Sequence, residues 1–394
     1  MARLALAGLT VRSLAERAVA DGHLPLALDC FGDADTLACA ERWIDIGAAN
    51  GLRIDGQRLL AALSILADTG ELLGWIAASG FEDQPELLAA GAALLPLIGA
   101  AASDVARVRD PAGFFDFLDA HGVAHPPVCF AAAAAGPGVW LRKSAGGCGG
   151  LHIRRFESGA ALGPGEYLQC EIEGVPMSAT FVANGRDAVL FGFNRLLVRP
   201  MGERPHVYCG AIGPVALAAP LRQQLQRLLR AASAGFGLRG LGSLDFLLDP
   251  GGCLQVLELN ARPSATLALY PDARPVDCHL RACLHGELPL APAAPPCFSP
   301  SFSPPSPPFL SPSAPPPVRG IETVHAGRDW TLDTARARWL SDQSAVHDLP
   351  RAGQQFAAGD PVCSISACGA TAAEVEADLR NHRHALLTHL EKSS

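Results

Sequence analysis

Two carboxylates, an amide and a guanidinium occur close together in residues 242–264 (GSLDFLLDPGGCLQVLELNARPS). Asp245, Glu258 and Asn260 offer oxygen ligands, and such donor sets suit Mg²⁺ bound together with the phosphates of a substrate. Arg262 follows on the same face and has the chemistry to neutralise charge that develops on a phosphate. The segment therefore predicts a metal-assisted phosphate site.

The same segment contains a turn that would bring the acids together. Residues 249–252 (DPGG) predict a turn between two alternating strands, and hence an antiparallel hairpin. With a two-residue turn, Asp245 lies directly opposite Glu258. A four-residue loop shifts the pairing by two residues and keeps both acids on one face, and we expect Leu257 and Leu259 on the other.

Opposed like charges are destabilising unless a cation lies between them. A surface hairpin with solvated acids is the alternative to a metal site. The Leu and Phe residues that flank the acids favour the metal site, because a solvated face would carry more polar neighbours.

A glycine-rich loop follows a strand-like segment at residues 140–153 (WLRKSAGGCGGLHI). Only two of the 31 basic residues are lysines, and one of them, Lys143, stands at the start of this loop. Glycines let backbone N–H groups approach phosphate oxygens, and lysine adds a positive charge. We predict a strand, a loop over 144–150 and a second strand over Leu151–Arg154, which suits a flap over a nucleotide. The loop lacks the Walker pattern, and a plain hairpin is the alternative.

Between these segments, residues 166–182 (EYLQCEIEGVPMSATFV) predict a strand at Tyr167–Cys170, a turn at Glu171–Gly174 and a strand at Met177–Val182. Such a hinge can present backbone groups to an adenine edge, with Gln169 and the main chain of 170–172 as candidates. Ordinary β-structure with an acidic turn is the alternative.

The first hundred residues predict the element pattern of a parallel sheet, because strands alternate with helices. Ligands of such sheets bind beyond the carboxyl ends of the strands, but no G-x-G-x-x-G follows the first strand, so a dinucleotide site is not supported. The predicted strands are Arg3–Ala7, Leu24–Leu28, Leu73–Ala77 and Leu94–Ile98, and the predicted helices are Val11–Ala20, Arg58–Ala67 and Pro85–Ala90.

The rest of the chain divides by composition. A helix at Pro111–His121 leads into an α+β region, and the Pro-, Ser- and Ala-rich stretch from Pro289 cannot form a core and predicts an extended linker. Arg319–Leu390, with a strand at Pro361–Ser366 and a helix at Ala372–Leu390, is expected to pack back as a cap.

Composition excludes several classes of partner. The net charge of −8 shows no basic footprint for nucleic acid. No stretch has the length and apolar character of a membrane span, and the N-terminus lacks a secretion signal. The 12 cysteines form no C-x-x-C pair and are expected to be reduced. We expect a cytoplasmic protein that binds neither nucleic acid nor membrane.

The ordered set of a strand lysine, a glycine-rich flap, a hinge and D-x(12)-E-x-N-x-R resembles the ATP-grasp superfamily of carboxylate–amine ligases. The resemblance implies an α/β and α+β fold: a parallel-sheet pre-ATP-grasp domain over 1–108, the two ATP-grasp subdomains over 109–288, a linker over 289–318 and a cap over 319–394. It implies ATP and Mg²⁺, for which Mn²⁺ can substitute.

The resemblance also assigns roles residue by residue. Asp245, Glu258 and Asn260 match the metal ligands, and Arg262 and Lys143 match catalytic positions. The family's earlier phosphate lysine appears as Arg109, and the hinge position that often carries a ribose-binding acid appears as Pro176. The positions that match nucleotide-binding residues are Arg109, Lys143, Ser144, Gly146, Gly147, Gly149, Gly150, Gln169, Cys170, Glu171 and Ile172.

More narrowly, residues 4–36 and 169–182 look like ATP-grasp proteins of methylotrophic bacteria that accompany tetrahydromethanopterin- and methylofuran-linked one-carbon metabolism, and like the archaeal tyramine–glutamate ligase. This implies small carboxylate and amine substrates, an acyl phosphate intermediate and release of ADP and phosphate, and it allows a homodimer. Segments 194–199 and 206–213 are expected to line the acceptor site. A non-catalytic ATP-binding regulatory or scaffold relative is the alternative.

Overall fold

The computed structural model describes residues 1–49, 51–290 and 316–391. Most of the predicted linker over 289–318 lies outside the described residues. Among the described residues, none of the helices combines the length and apolar character that a membrane span requires. The 11 cysteines in these ranges are all free thiols.

The N-terminal domain alternates strands and helices. Its elements are β1 (Arg3–Ala7), α1 (Arg12–Ala20), β2 (Leu24–Asp29), α2 (Ala34–Cys39), β3 (Arg42–Asp45), α3 (Gly56–Asp68), β4 (Gly74–Ala77), α4 (Pro85–Leu94) and α5 (Ala102–Arg109). The strands pair in parallel in the order β3-β2-β1-β4. Leu4 and Leu6 of β1 are fully buried, as expected of a central strand covered on both faces. The predicted parallel sheet is confirmed.

One predicted strand is wrong. Helix α4 continues to Leu94, and within the predicted strand Leu94–Ile98 only Leu97 makes a single parallel bridge, to Trp75. Pro96 explains the outcome, because proline has no N–H to donate to a strand ladder.

A small antiparallel sheet follows helix α6 (Pro111–Ala120). Its strands are β5 (Val128–Cys129), β6 (Trp140–Ser144), β7 (Arg154–Arg155) and β8 (Glu166–Cys170), paired in the order β5-β8-β6-β7. The predicted strand at Leu151–Arg154 is reduced to β7. Turns occupy its first residues, since Leu151 N donates to Cys148 O and Ile153 N donates to Gly150 O.

The remaining elements build the largest sheet and the helices that cover it. They are β9 (Val175–Asn184), β10 (Ala188–Met201), β11 (Arg204–Gly213), α7 (Ala219–Phe236), β12 (Arg239–Leu248), β13 (Leu254–Asn260), α8 (Pro275–His285), β14 (Val318–His325), β15 (Trp330–Thr331), α9 (Thr334–Ser341), β16 (Val346–His347), β17 (Gln355–Phe356), β18 (Pro361–Gly369) and α10 (Ala372–Leu390). Short 3₁₀ turns lie at Ala132–Ala134, Ala265–Leu269 and Pro271–Ala273.

Eight of these strands form one antiparallel sheet in the order β13-β12-β9-β10-β11-β14-β18-β16. Helix α7 buries Leu225, Leu228 and Leu229, a spacing of three and four residues that gives one apolar face. This face packs in one core with Phe181 and Phe246 of the sheet.

The C-terminal segment does more than cover the sheet, because β14 pairs with both β11 and β18 and extends it. The segment also reaches the N-terminal domain: Arg12 Nε lies 2.7 Å from Asp348 Oδ1. Strand ends of the N-terminal domain, the central sheet and the C-terminal segment thus meet around one cleft.

Candidate active site

The cleft has a volume of about 780 Å³ and is lined by residues from all parts of the described chain. Lys143, Gln169, Asp245, Glu258 and Arg262 line it, although they come from distant stretches of sequence. The structure therefore brings the predicted lysine, hinge and metal hairpin together at one place.

The predicted pairing of Asp245 with Glu258 is present in the hairpin of β12 and β13. The turn differs from the expected one, because five residues, 249–253, separate the strands. A loop of that length alone would leave the acids offset by one residue. A bulge at Leu257, where the register shifts between Asp245 and Phe246, restores the pair.

The bulge also corrects the predicted facing of Leu257. A bulge places two consecutive residues opposite one partner, so both side chains lie on the same side. Leu257 lines the cleft together with Glu258, whereas Leu259 is buried in the core with Phe246. The cleft therefore gains an apolar wall beside the acidic pair.

The two acids do not carry equal charge. Burial, followed by the charge of Glu258, raises the pKa of Asp245. Burial acts in the same direction on Glu258, but the positive charges of Arg109 and Lys143 lower its pKa. Two carboxylates this close do not both ionise without a cation. The two facing carboxylates are half-buried and fit a divalent ion.

Asn260 lies next to both acids. Its Nδ2 donates to Glu258 Oε1 at 3.1 Å and to Asp245 Oδ2 at 3.4 Å, and its Oδ1 lies 3.5 Å from Arg262 Nη2. The amide therefore sits between the acids and the guanidinium that were predicted to act with it.

Lys143 points into the cleft from β6, and its residue is only 5% exposed. Its Nζ donates to Gln169 Oε1 at 3.1 Å. Gln169 Nε2 is buried and has no hydrogen-bond partner among the described residues. A buried donor without a partner costs free energy unless a ligand satisfies it, so this pair has the chemistry of a binding site.

The glycine-rich loop is seated against two parts of the protein. Arg109 at the end of α5 donates to Ala145 O at 2.9 Å and to Gly147 O at 2.7 Å. Tyr208 N of β11 donates to Gly149 O at 3.0 Å. A Cβ at Gly150 would lie 1.8 Å from His206 O, so only glycine permits this approach. Ser144 ends β6 at the start of the loop, and Gly146 lies so close to Asp83 that a Cβ at residue 146 would come within 2.3 Å of the Asp83 Cβ.

Arg109 was predicted as a phosphate contact. Its guanidinium here holds the loop carbonyls, and its Nη1 lies 3.7 Å from Glu258 Oε2. The residue therefore belongs to the site, and its direct contact with phosphate stays a prediction.

All four hinge residues line the cleft: Gln169, Cys170, Glu171 and Ile172. The N–H groups of Cys170 and Glu171 already donate to Pro127 O and Val139 O, each at 2.8 Å. Within the described chain, the N–H of Ile172 forms no hydrogen bond, so it is the main-chain donor of the hinge that a base could use.

Arg262 has a partner that sequence reasoning missed. Its Nε lies 2.5 Å from Glu82 Oε1, and the Glu82 side chain is 7% exposed. Glu82 Oε2 also accepts from Gly80 N at 2.7 Å. Arg262 lowers the pKa of Glu82 against the effect of burial. Glu82 follows the carboxyl end of β4, the kind of position where ligands of parallel sheets bind, and that rule could have found it.

The predicted acceptor segments are divided by the structure. Leu196, Val198, His206 and Tyr208 line the cleft. Asn194 does not, because it is fully buried, with its Nδ2 donating to Thr180 Oγ1 and its Oδ1 accepting from Tyr270.

Comparison with solved structures defines the class of fold. Biotin carboxylase of Campylobacter jejuni is 14% identical, with a TM-score of 0.68 over 99% of this chain and 95% of that one. The biotin carboxylase domain of the Hydrogenobacter thermophilus 2-oxoglutarate carboxylase, solved with MgADP and bicarbonate, is 12% identical, with a TM-score of 0.67 over 99% and 94%. An L-amino acid ligase of Bacillus licheniformis is 14% identical, with a TM-score of 0.63 over 97% and 96%. The chain has a biotin carboxylase-like fold.

Sequence comparison adds a match to a protein family. Residues 108–266 match the family model of an ATP-grasp domain, and this segment holds the flap, the hinge and the acidic hairpin. No curated protein matches the chain significantly.

Proposed function

We propose that the protein is an ATP-dependent ligase that joins a carboxylate to an amine through an acyl phosphate. The observation that carries the proposal is the half-buried pair Asp245 and Glu258, which faces the same cleft as Lys143 and the hinge. The ATP-grasp domain match supports nucleotide use. The similarity to an L-amino acid ligase is one of fold and leaves the substrates open.

The donor set fits Mg²⁺ and a triphosphate. Asp245, Glu258 and Asn260 would hold the ion, which supplies positive charge between the phosphates when it is bound. Lys143 and the backbone N–H groups of 144–150 would bind the phosphate oxygens. Gln169 and the free N–H of Ile172 would bind the base.

The resemblance implies the reaction. A carboxylate oxygen of the acid attacks the γ-phosphorus, the bond to the β-phosphate oxygen breaks, and ADP leaves. An amine that arrives as an ammonium ion first releases one proton to water; its neutral nitrogen then attacks the acyl carbon, phosphate leaves, and the nitrogen loses a second proton to give the amide. Phosphoryl transfer depends mainly on positioning and charge. Arg262, held by Glu82, is oriented toward Asn260 and would stabilise charge on the transferred phosphoryl group.

The seated loop has a second role in this scheme. An acyl phosphate hydrolyses when water reaches it, so a flap that closes the cleft protects the intermediate. Arg109 and Tyr208 N provide the contacts that hold the flap down.

The resemblance in sequence implies a role in the biosynthesis of a one-carbon carrier cofactor, and that role stays a prediction, as do the homodimer and the division into domains. The competing function is a non-catalytic ATP-binding relative. One observation favours the non-catalytic function: Arg109, which was expected to contact phosphate, donates to the carbonyl groups of the flap instead.

The test is ADP release by the purified protein with MgATP and pooled carboxylates, amino acids, tyramine and other amines. We expect ADP release that requires both an acid and an amine, and hydroxamate formation when hydroxylamine replaces the amine. Asp245→Asn should abolish both signals, and Asp249→Asn, in the turn of the same hairpin, should retain them. ATP binding without ADP release in any pool would favour the non-catalytic relative.

A further inference from the structure

One end of the cleft is formed by the N-terminal domain and the C-terminal segment, and this end is rich in acidic side chains. Asp33, in the loop after β2, and Asp348, in the loop after β16, both line it. Asp29, Asp35 and Glu16 lie close by, so five carboxylates gather here. The buried guanidinium of Arg12 lies among them, and a second guanidinium, that of Arg351, donates to Gly32 O in the loop that carries Asp33.

Two of these carboxylates have structural partners. Asp29 is fully buried and accepts from Phe31 N, Gly32 N and the Trp43 indole, which shapes the loop after β2. Asp35 accepts from the backbone N–H groups of Asp348 and Leu349 at 2.8 and 3.1 Å. These two acids therefore hold loops in place.

Arg12 forms ion pairs with two more of the five carboxylates, those of Glu16 and Asp348. Its Nη1 donates to Glu16 Oε2 at 2.8 Å, and its Nε donates to Asp348 Oδ1 at 2.7 Å. Asp348 adopts a φ of 53°, a conformation that costs free energy outside glycine and persists only where the surroundings impose it. The contacts with Arg12 and Asp35 impose it, and they bring a residue of the C-terminal segment to the cleft.

Asp33 is the exception. It is 7% exposed and lines the cleft, and within the described ranges its carboxylate accepts no hydrogen bond, including from the helix that follows it. Burial, together with Asp348, Asp29 and Asp35, raises its pKa to about 8. A buried carboxylate without a partner is costly, and a cation from outside the chain would remove that cost.

We infer that this end of the cleft binds a positively charged nitrogen of the amine substrate, with Asp33 as its counter-ion. The inference rests on the proposed ligase function and adds the charge class of the second substrate: an amine that carries an ammonium group at neutral pH. Phe31 and Leu9 line the same end and would contact the carbon skeleton. Asp348 lines the same end with its carboxylate paired to Arg12, which leaves Asp33, among the described residues, as the carboxylate without a partner.

The experiment measures binding by calorimetry to the full chain with MgADP, so it does not depend on turnover. Each probe is paired with an anionic analogue of similar shape: phenethylamine with 3-phenylpropanoate, butylamine with pentanoate, and 1,4-diaminobutane with adipate. At least one ammonium probe should bind about tenfold or more tightly than its analogue, the effect of one charged hydrogen bond. Asp33→Asn should remove that preference, and Asp68→Asn, an exposed acid of α3 outside the cleft, should keep it.

Folding of the variant is checked separately. Asp33→Asn removes no hydrogen bond, and it removes a carboxyl whose raised pKa destabilises the folded state near neutral pH, so its Tm should equal or exceed that of the wild type. If the variant nevertheless fails to fold, the inference is tested by the wild type alone, through its affinity for each ammonium probe compared with that for the paired carboxylate probe. Equal binding within all three pairs overturns the inference.

The two proposals fail differently. A preference for ammonium probes without ADP release in any pool would overturn the ligase and leave the ammonium site standing. ADP release in which Asp33→Asn leaves the KM for the amine unchanged would overturn the ammonium site and leave the ligase standing.

Discussion

The Arg262 guanidinium is held at 2.5 Å by the carboxylate of Glu82, so a residue of the N-terminal domain positions a residue that follows the acidic hairpin. The two side chains are separated by 180 residues in sequence. This ion pair links the sheet of the N-terminal domain to the site where we expect phosphoryl transfer.

Glu82→Gln should therefore lower kcat and leave the KM for ATP nearly unchanged. Glutamine keeps a hydrogen bond but loses the charge that orients the guanidinium, and misplacement of such a group costs about 100-fold in rate. Steady-state ADP release measures both constants. Glu86→Gln, an exposed acid in the first turn of α4, is the control. An equal loss of kcat in both variants, or a rise only in the KM for ATP, would contradict the positioning role.

The glycine-rich loop can be tested with two neighbouring substitutions. Gly149 and Gly150 both have positive φ, so alanine at either costs about 1 kcal/mol of stability. Only at Gly150 does the new Cβ meet a backbone oxygen, that of His206; at Gly149 nothing lies within 4 Å. Gly150→Ala should unseat the flap and lower kcat by about 100-fold, whereas Gly149→Ala should retain activity once corrected for folded fraction. Equal activities would show that the seated loop is not the active form.

Lys143 and its neighbour in β6 make a matched pair for nucleotide binding. Lys143 is buried and faces the cleft, whereas Arg142 faces away and lies 3.7 Å from Glu166. Lys143→Ala should weaken ATP binding by about tenfold or more, since it removes a charged hydrogen bond. Arg142→Ala should leave the calorimetric Kd for ATP unaltered. A Kd for ATP that Lys143→Ala does not change would remove the lysine from the phosphate site.

Stability should depend on pH through His279. Its Nδ1 accepts from Leu241 N, and its Nε2 lies 2.9 Å from Ile98 O, so the neutral ring joins β12 to the N-terminal domain. Burial lowers its pKa to about 4 from an ordinary 6.5. The unfolded chain therefore binds the extra proton first, so this contribution to stability is complete above about pH 6.5 and is lost as the pH falls toward 4.

Between about pH 7 and about pH 4, the free energy of unfolding of the wild type should fall by roughly 3 kcal/mol more than that of His279→Gln. Denaturant melts at a series of pH values measure the difference. Parallel curves for the two proteins would show that His279 does not titrate on unfolding.

The parts of this structure that local patterns determine were predictable. Strand β1 has its predicted bounds because a short apolar run in this position forms a buried strand. The alternation of side chains along β12 correctly predicted that Asp245 lies on the same face of the hairpin as Glu258. The pairing with Glu258 was correct for a different reason than expected, since a five-residue loop and a bulge at Leu257 together give the register that a two-residue turn would give.

Long-range partners were not predictable in the same way. Nothing near Glu82 in sequence indicates Arg262, and the contact of Asp348 with Arg12 joins the C-terminal segment to the first helix. Such pairs depend on how the domains pack, which periodicity does not encode. Asp33 and Glu82 lie in the loops after β2 and β4, and loops at the carboxyl ends of parallel strands can be predicted as ligand positions. The groups that these two side chains contact could not be predicted in that way.

Every step of the proposed reaction requires that Asp245 and Glu258 bind a divalent ion together with ATP. The most direct test is the calorimetric affinity for ATP in excess Mg²⁺ and in EDTA, for the wild type, the Asp245→Asn/Glu258→Gln double variant and the Asp249→Asn control.

We expect Mg²⁺ to tighten ATP binding to the wild type and to the control. In the double variant Mg²⁺ should have little effect, and in EDTA this variant should bind ATP as well as the wild type or better, because the negative charge of the acidic pair no longer repels the phosphates. An unchanged response to Mg²⁺ in the double variant would contradict the claim.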